Sequence, residues 1–450
     1  MSKRLVVIGG VAAGMSAAAK AKRVDRELEV VVYERGPFIS YAACGMPYYI
    51  AGDVPDYQEL IVRTPAQMAK QGVEVHVRHE VTAIDVTAHT VTVRDRTEQG
   101  GDGRTFTQDW DKLVIATGAR AAQPSMPGID LPGVFALRAL SQGMALRRFL
   151  DERQPRQAIV VGGGYIGVEM AETFRRLGLD VKILIRSGQV MRTTLDDDVR
   201  ALVEEELARQ GVKVLQGQPV AFEGDGRVAA VVTTDGRYPC DVALLGMGAR
   251  PETALAQAAG VALGPTGAIA TDAHMCTSVP DVYAAGDCAE VLHLVTGQPD
   301  YIPLGSTANK QGRVAGAHAA GAQASFGGVV GTMVTRVFDL AVARTGLTVA
   351  QARSVGRTVS ETMIKARDLA HYFPGAAPIH VKLVVEEESG RLLGGQIVGR
   401  QGVAKRIDVL ATALHHALVI EDLQRLDLSY APPFAPVWDP LLVAANVAAK

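Results

Sequence analysis

The sequence predicts an α/β protein with two Rossmann-like dinucleotide-binding units, one inserted in the other, followed by a C-terminal α+β domain. Three observations carry this. A glycine-rich strand, turn and helix opens the chain at Arg4 to Ala19, and a cleaner copy begins at Ala158. Beyond Gly331 the pattern changes to alternating apolar strands, a hairpin and one helix-periodic stretch.

In the first unit, Arg4-Leu5-Val6-Val7-Ile8 reads as a strand, Gly9 to Gly14 as a tight turn, the alanine-rich stretch after it as a helix, and Leu28 to Tyr33 as a second strand. Glu34 closes that strand. Glycines at 9 and 14 let the backbone approach a pyrophosphate at the helix N-terminus, and the acid suits ribose hydroxyls. Val11 occupies the middle glycine position, so the fingerprint is incomplete. The next stretch, Ser40 to Gly52, sets Cys44 among small residues with Gly45 after it and Pro47 three places on. A short helix just downstream would offer its positive end to the sulfur. Cysteine reacts as its thiolate, and a helix N-terminus lowers its pKa.

Leu113 to Gly118 reads as a strand with a sharp turn at Thr117-Gly118. The second copy then supplies Ala158 to Val161, the full Gly162, Gly164, Gly167 pattern with Tyr165 inside it, a helix, and the strand Val181 to Ile185. Two such units imply two dinucleotides. In the second, Ile185 stands where an acid would sit, with Arg186 next and Arg192 six further on; arginine grips a 2′-phosphate that a carboxylate would repel. NADPH is therefore expected to serve at least as well as NADH. Val242 to Pro251 closes this unit, and Val282 to Asp287 returns to the first, delivering one carboxylate at a strand tip before a helix at Ser306 to Ala320. Asp287 is expected against a ribityl chain, with that helix's positive end toward a flavin ring.

In the last third, Thr358 to Ile364, His380 to Val385 and Leu392 to Val398 read as strands with a turn at Glu388-Ser389-Gly390. Val403 to Val419 reads as a helix whose His415 and His416 are surface or packing residues. The proline-rich tail Asp427 to Pro436 is expected to lie on another surface, that of a second subunit.

The 450 residues suggest about three domains: residues 1–115 with 246–325 for FAD, 116–245 for NAD(P)H, and 326–450 for an interface. A formal net charge of −2 leaves no overall field for nucleic acid or an anionic membrane. Glycines 9, 10 and 14 break the apolar start, against a signal peptide, and no run reaches the roughly 18 apolar residues of a membrane span. Four scattered cysteines favour a reducing compartment, so a cytoplasmic protein is expected. No metal is called for, and Cys240, Cys276 and Cys288 are read as structural.

Together, the Gly9 to Gly14 turn with Glu34, Ala116-Thr117-Gly118, the Gly162 to Gly167 turn and Tyr283-Ala284-Ala285-Gly286-Asp287 resemble the flavin-dependent pyridine nucleotide-disulfide reductases across essentially the whole chain. The resemblance implies a glutathione reductase-like arrangement, FAD, NAD(P)H and a homodimer. Around Cys44 it points to the single-cysteine branch that includes coenzyme A disulfide reductase, NADH oxidase and NADH peroxidase, because Tyr49 stands where the dithiol branch has its second cysteine. Cys44 would then cycle through a mixed disulfide, a sulfenic acid or a persulfide.

Oxidase and peroxidase members carry a histidine in the first glycine turn, where this chain has Val11-Ala12-Ala13. The disulfide-reductase members carry two tyrosines reaching from the partner subunit, matched by Tyr372 and Tyr430, which are expected to act as acids toward a leaving thiolate. Ala43 replaces their usual asparagine. Coenzyme A is thus the implied substrate, with Ser40 near the sulfur and Lys22 and Arg23 holding phosphates. Related chains sometimes continue into a rhodanese domain; this sequence ends at Lys450, which points to disulfide over persulfide. A polysulfide or persulfide reductase, an oxidase, and a flavoprotein carrying electrons to a protein partner stand as alternatives.

Overall fold

The computed structural model describes residues 3–97 and 103–450. Its first sheet is fully parallel, in the order Val282–Ala284, Lys112–Ile115, Arg4–Ile8, Glu29–Glu34, Val73–Val77. Helices Ala12–Val24 and Gly305–Ala319 cover one face of this sheet and the strands of His79–Asp109 cover the other, which is why Leu5, Val6 and Val7 are wholly buried rather than alternating. A second parallel sheet follows the order Lys213–Gln216, Asp180–Ile185, Gln157–Val161, Val242–Leu245, Val134–Ala136. The chain leaves the first sheet through Ala119–Ala121 and returns through Ala249–Pro251, and these two short strands pair antiparallel. One sheet is thus strung inside the other.

The third sheet is antiparallel, in the order Met333–Val337, Leu340–Gly346, Leu392–Gly399, Pro378–Glu386, Val359–Arg367. The helix Val403–His415 packs on it through Ile407, Leu410 and Leu414 and stops short of the expected Val419, because Ala417 turns left-handed. His415 and His416 are exposed there. Two three-stranded meanders, at His79–Asp109 and Pro219–Pro239, carry no glycine fingerprint and were not distinguished in the sequence.

Helices Ala12–Val24 and Gly305–Ala319 pack almost backbone to backbone. A Cβ on Gly312 would stand 2.2 Å from the Ala13 carbonyl oxygen, and one on Gly316 2.1 Å from that of Ala17. Gly312→Ala gains about 1 kcal/mol of helix propensity but forces a backbone shift that costs typically 1–3 kcal/mol. Net destabilisation is expected in thermal melts; a raised melting temperature would contradict this packing.

Candidate active site

Both glycine turns are built alike. Gly9 has φ 105°, and a Cβ there would lie 2.2 Å from the Ala116 carbonyl; Gly162 has φ 110°, with a Cβ 2.3 Å from the Gly246 carbonyl. Gly14 and Gly167 repeat the pattern against the carbonyls of Gly9 and Gly162, at 1.8 and 2.1 Å. Val11 is accommodated as the N-cap of its helix, where a side chain clears the turn. Neither Ala12–Val24 nor Tyr165–Arg176 has a side-chain cap, so their first-turn N–H groups are free for phosphate. Open space lies beside Gly118, Gly164 and Gly305.

Glu34 accepts hydrogen bonds from Gly10 N (2.7 Å) and Gly36 N (2.7 Å), which fixes its carboxylate at the first turn. Thr117 spends its hydroxyl on the Glu252 carbonyl (2.6 Å), joining the outgoing and returning strands. Asp287 makes an ion pair with Arg138 (Nη2 to Oδ2, 2.8 Å), and Tyr301 donates its hydroxyl to the Asp287 carbonyl. The Asp287 Oδ1 makes no hydrogen bond among the described residues, which leaves it for an incoming hydroxyl. The donor set thus fits a dinucleotide at each turn: backbone N–H groups for phosphates, and Glu34 and Asp287 as acceptors.

The Cys44 segment is docked on the first turn. Ser40 donates its N–H to the Gly10 carbonyl (2.8 Å) at φ 45°, a conformation non-glycine residues adopt only where surroundings impose it. Cys44 lies in the short turn Ala43–Gly45 that leads into the helix Met46–Ala51. It is the one exposed cysteine; Cys240 and Cys288 are buried and Cys276 is partly covered. Met46 and Ile50 share a core with Val160, Val168, Val337 and Val342, so the cysteine helix is wedged between the second unit and the third sheet. Thr173 bonds the Pro47 carbonyl (3.3 Å), and Arg336 lies over the Tyr48 ring while pairing with Glu172. Asp53, just past the helix, pairs with Arg176.

The expected lowering of the Cys44 pKa does not hold in the protein alone. Burial of its inner side pushes the thiol up, Glu169 and Asp287 add to this, and Arg138 and a backbone N–H pull it only partly back. The helix end is too short a counterweight to burial and two carboxylates. Glu169 is itself pushed up by burial, although Thr335 donates to its Oε1 (2.8 Å). Glu169→Gln removes one opposing charge, so iodoacetamide should alkylate Cys44 faster than in the parent at pH 7. An unchanged or slower rate would show that Glu169 does not act on the sulfur.

Tyr165, at the start of its helix, is pushed up to about 12 by burial. Arg186 and Arg192 are exposed, and neither makes an ion pair among the described residues. Tyr372 and Tyr430 are neighbours, 64 % and 47 % exposed. Tyr430 borders an open cavity of about 350 Å³ whose walls include Asp368, Lys405 and Phe434 but no residue of the Cys44 segment. Asp368 pins the loop carrying Tyr372 by accepting from Ala377 N (2.7 Å). One expected phosphate ligand is placed otherwise: Lys22 donates its ammonium to the carbonyls of Arg26 (2.6 Å) and Leu28 (2.7 Å), in the last turn of its helix and away from the glycine turn. Arg23 is exposed, with only Nε engaged among the described residues, on the Ala19 carbonyl.

The family model described as pyridine nucleotide-disulphide oxidoreductase matches residues 3–324, and the dimerisation-domain model of the same group matches residues 332–440. The chain belongs to the pyridine nucleotide-disulphide oxidoreductase family. Among family relatives, the NAD(P)H coenzyme A polysulfide/persulfide reductase of Pyrococcus horikoshii is 41 % identical over 449 residues, covering 99 % of this chain and 98 % of that protein. The structure of reduced CoADR-RHD from Bacillus anthracis superimposes with a TM-score of 0.95 at 37 % identity, covering 100 % of this chain and 80 % of that one. The engineered water-forming NADPH oxidase TPNOX, a mutant of LbNOX, superimposes at 0.94 and 31 % identity, covering 99 % and 98 %. As a family member the chain carries a dimerisation domain, and no helix among its described residues is long and apolar enough to cross a membrane. The persulfide-reducing relative is covered nearly end to end without a further domain, so the expectation drawn from the end of the sequence does not separate disulfide from persulfide substrates.

Residues that the sequence reading missed are Arg138, Glu169 and Asp368. Each sits outside any motif, and only the fold brings the first two to Cys44.

Proposed function

We propose that this protein is an FAD-containing, NAD(P)H-dependent reductase of sulfur–sulfur bonds in coenzyme A-linked substrates, with coenzyme A disulfide foremost, working as a homodimer through Cys44. The observation that carries the reading is one exposed sulfur, in a segment that Ser40 docks on the first dinucleotide turn, with Tyr49 rather than a second thiol beyond it. FAD would be held by residues of 1–115 and 246–325, namely Gly9, Gly14, Glu34, Thr117, Gly118 and Asp287, and NADPH by residues of 116–245, namely Gly162, Gly164, Gly167, Tyr165, Arg186 and Arg192. The crossing strands at Ala119 and Ala249 support those boundaries, and residues 326–450 form the interface. FAD, when bound, supplies the two-electron relay between nicotinamide and sulfur that no side chain can provide.

Cys44, as thiolate, attacks one sulfur of the substrate, forming a Cys44–S–S–CoA bond and expelling a coenzyme A thiolate. That thiolate takes a proton. Two electrons originating in NADPH then return Cys44 and the second coenzyme A sulfur to thiolates. Tyr372 and Tyr430 serve as the proton donors, and since the cavity beside Tyr430 holds no residue of the Cys44 segment, they act on the partner's sulfur. The exposed Phe434, Val437 and Trp438 beside them support a second copy there. Ser40 and Arg23 line the substrate path, and Tyr165 covers the nicotinamide side.

A second reading, reduction of polysulfide or coenzyme A persulfide on the same residues, is favoured by the 41 % identical relative. Comparing NADPH consumption on coenzyme A disulfide and on coenzyme A persulfide decides between them: faster turnover of the persulfide, with sulfide released, would displace the disulfide.

The changes named for the engineered NADPH oxidase put arginine and serine directly after an aspartate changed to alanine, and a second arginine five places beyond the serine. Ile185, Arg186, Ser187 and Arg192 show that order and spacing here. Each charge-assisted contact is worth about 1.5–3 kcal/mol, so Arg186→Ala and Arg192→Ala should each raise KM for NADPH about 10- to 100-fold and leave that for NADH nearly unchanged. Equal effects on both nucleotides would contradict the assignment.

A further inference from the structure

Arg344 lies on Leu340–Gly346, in the dimerisation-domain sheet, and is 6 % exposed with no carboxylate within ion-pair distance among the described residues. Burying a guanidinium without a counter-charge is costly, and an apolar residue in its place would be cheaper. Its donors go to the Thr194 carbonyl (Nη1, 3.2 Å), to Gln351 Oε1 (Nη2, 2.9 Å) and to the Gly346 carbonyl. Two of these are local. The first reaches across to the nucleotide unit.

Thr194 belongs to the irregular segment 188–195, which carries Arg192. At one end, Met191, held at φ 50°, donates its N–H to the Gly163 carbonyl in the second glycine turn (2.7 Å). Thr194 N–H and Leu195 N–H both return to the Met191 carbonyl (2.9 and 3.0 Å), and the Thr194 hydroxyl donates to the same carbonyl (2.9 Å). At the other end, Asp196 exchanges hydrogen bonds with Gln396 (2.9 and 2.5 Å) and accepts from Val349 N (3.1 Å), while buried Lys382 stands 3.7 Å away. The loop that presents Arg192 is therefore tied to the glycine turn on one side and to the dimerisation sheet on the other. Arg344 holds its middle.

We infer that Arg344 is a positioning residue for 2′-phosphate recognition: it fixes the backbone at Thr194 so that Arg192 is preorganised for the phosphate, and it lets the dimerisation domain set nucleotide preference. The inference rests on the NADPH reading above. The test is calorimetric binding of 2′,5′-ADP and 5′-ADP to the FAD-loaded dimer, for the parent, Arg344→Met, Arg344→Lys, Arg192→Ala and the Arg192→Ala/Arg344→Met double variant, with melting temperatures alongside.

The parent should prefer 2′,5′-ADP. Arg344→Met should weaken 2′,5′-ADP about tenfold and 5′-ADP less than about twofold, with Arg344→Lys recovering part of the loss. In the Arg192→Ala background, Arg344→Met should add less than about twofold. Parallel losses for both ligands, or additive losses in the double variant, would reduce Arg344 to a fold-holding residue and overturn the inference. A parent without preference overturns the NADPH reading and the inference with it; a preference that survives in Arg344→Met overturns the inference alone.

Discussion

Cys44→Ser should abolish coenzyme A disulfide reduction, with turnover falling by at least about 10⁴-fold, the scale seen when an enzyme's nucleophile is removed. A serine hydroxyl is nearly isosteric with the thiol but forms no bond to sulfur that two electrons could reverse. The variant should still fold and bind FAD, because Gly9, Glu34, Thr117 and Asp287 are untouched and Cys44 itself is exposed and makes no core contact. It should therefore be purified yellow, with its parent melting temperature. Rapid turnover of coenzyme A disulfide by this variant would remove the sulfur from the reaction. Transfer of electrons to a protein acceptor needs no thiol, so retained activity with an artificial one-electron acceptor alone would leave the assignment standing.

The second large effect is expected from the tyrosines. A general acid contributes typically 10²–10⁴-fold, and Tyr372 and Tyr430 are exposed neighbours, so one can cover for the loss of the other. Single Phe variants should lose about tenfold each, and Tyr372→Phe/Tyr430→Phe about 10²–10⁴-fold in kcat. The loss should shrink for an aromatic disulfide whose leaving thiol is acidic and needs no proton. A double variant equally impaired on both disulfides would place these residues in binding or assembly instead. Because the two rings lie on the dimerisation domain, mixing Cys44→Ser chains with double-Phe chains in equal amounts should restore one of the two sites in each hybrid dimer, about a quarter of all sites after statistical exchange, if the tyrosines serve the partner's sulfur.

Much of this architecture was legible because glycine is forced where two backbones nearly touch. Gly9 and Gly162 have no substitute at their φ values and distances, so the turns announce themselves, and the strands around them read as unbroken apolar runs because both faces are covered. The arginines at 186 and 192 stand out for a related reason, since an absent acid is as visible as a present one, and their part in gripping a 2′-phosphate is the proposal tested above. What escaped has a common cause. Arg138 reaches Asp287 across 149 positions of sequence, and Glu169 bears on Cys44 only because its helix packs beside the cysteine helix. The Cys44 pKa was misjudged on the same ground: the local sequence showed a helix end but not the burial, nor the carboxylates of Glu169 and Asp287, that outweigh it. Lys22 was misplaced because a charged helix face does not reveal which carbonyls lie within reach of its last turn.

The proposal that Cys44 alternates between thiolate and a covalent bond to coenzyme A is tested most directly by the intact mass of the native protein before and after mild reduction. Loss of one coenzyme A per chain on reduction, absent from Cys44→Ser, is the expected result. A native mass unchanged by reduction after incubation with coenzyme A disulfide would contradict it.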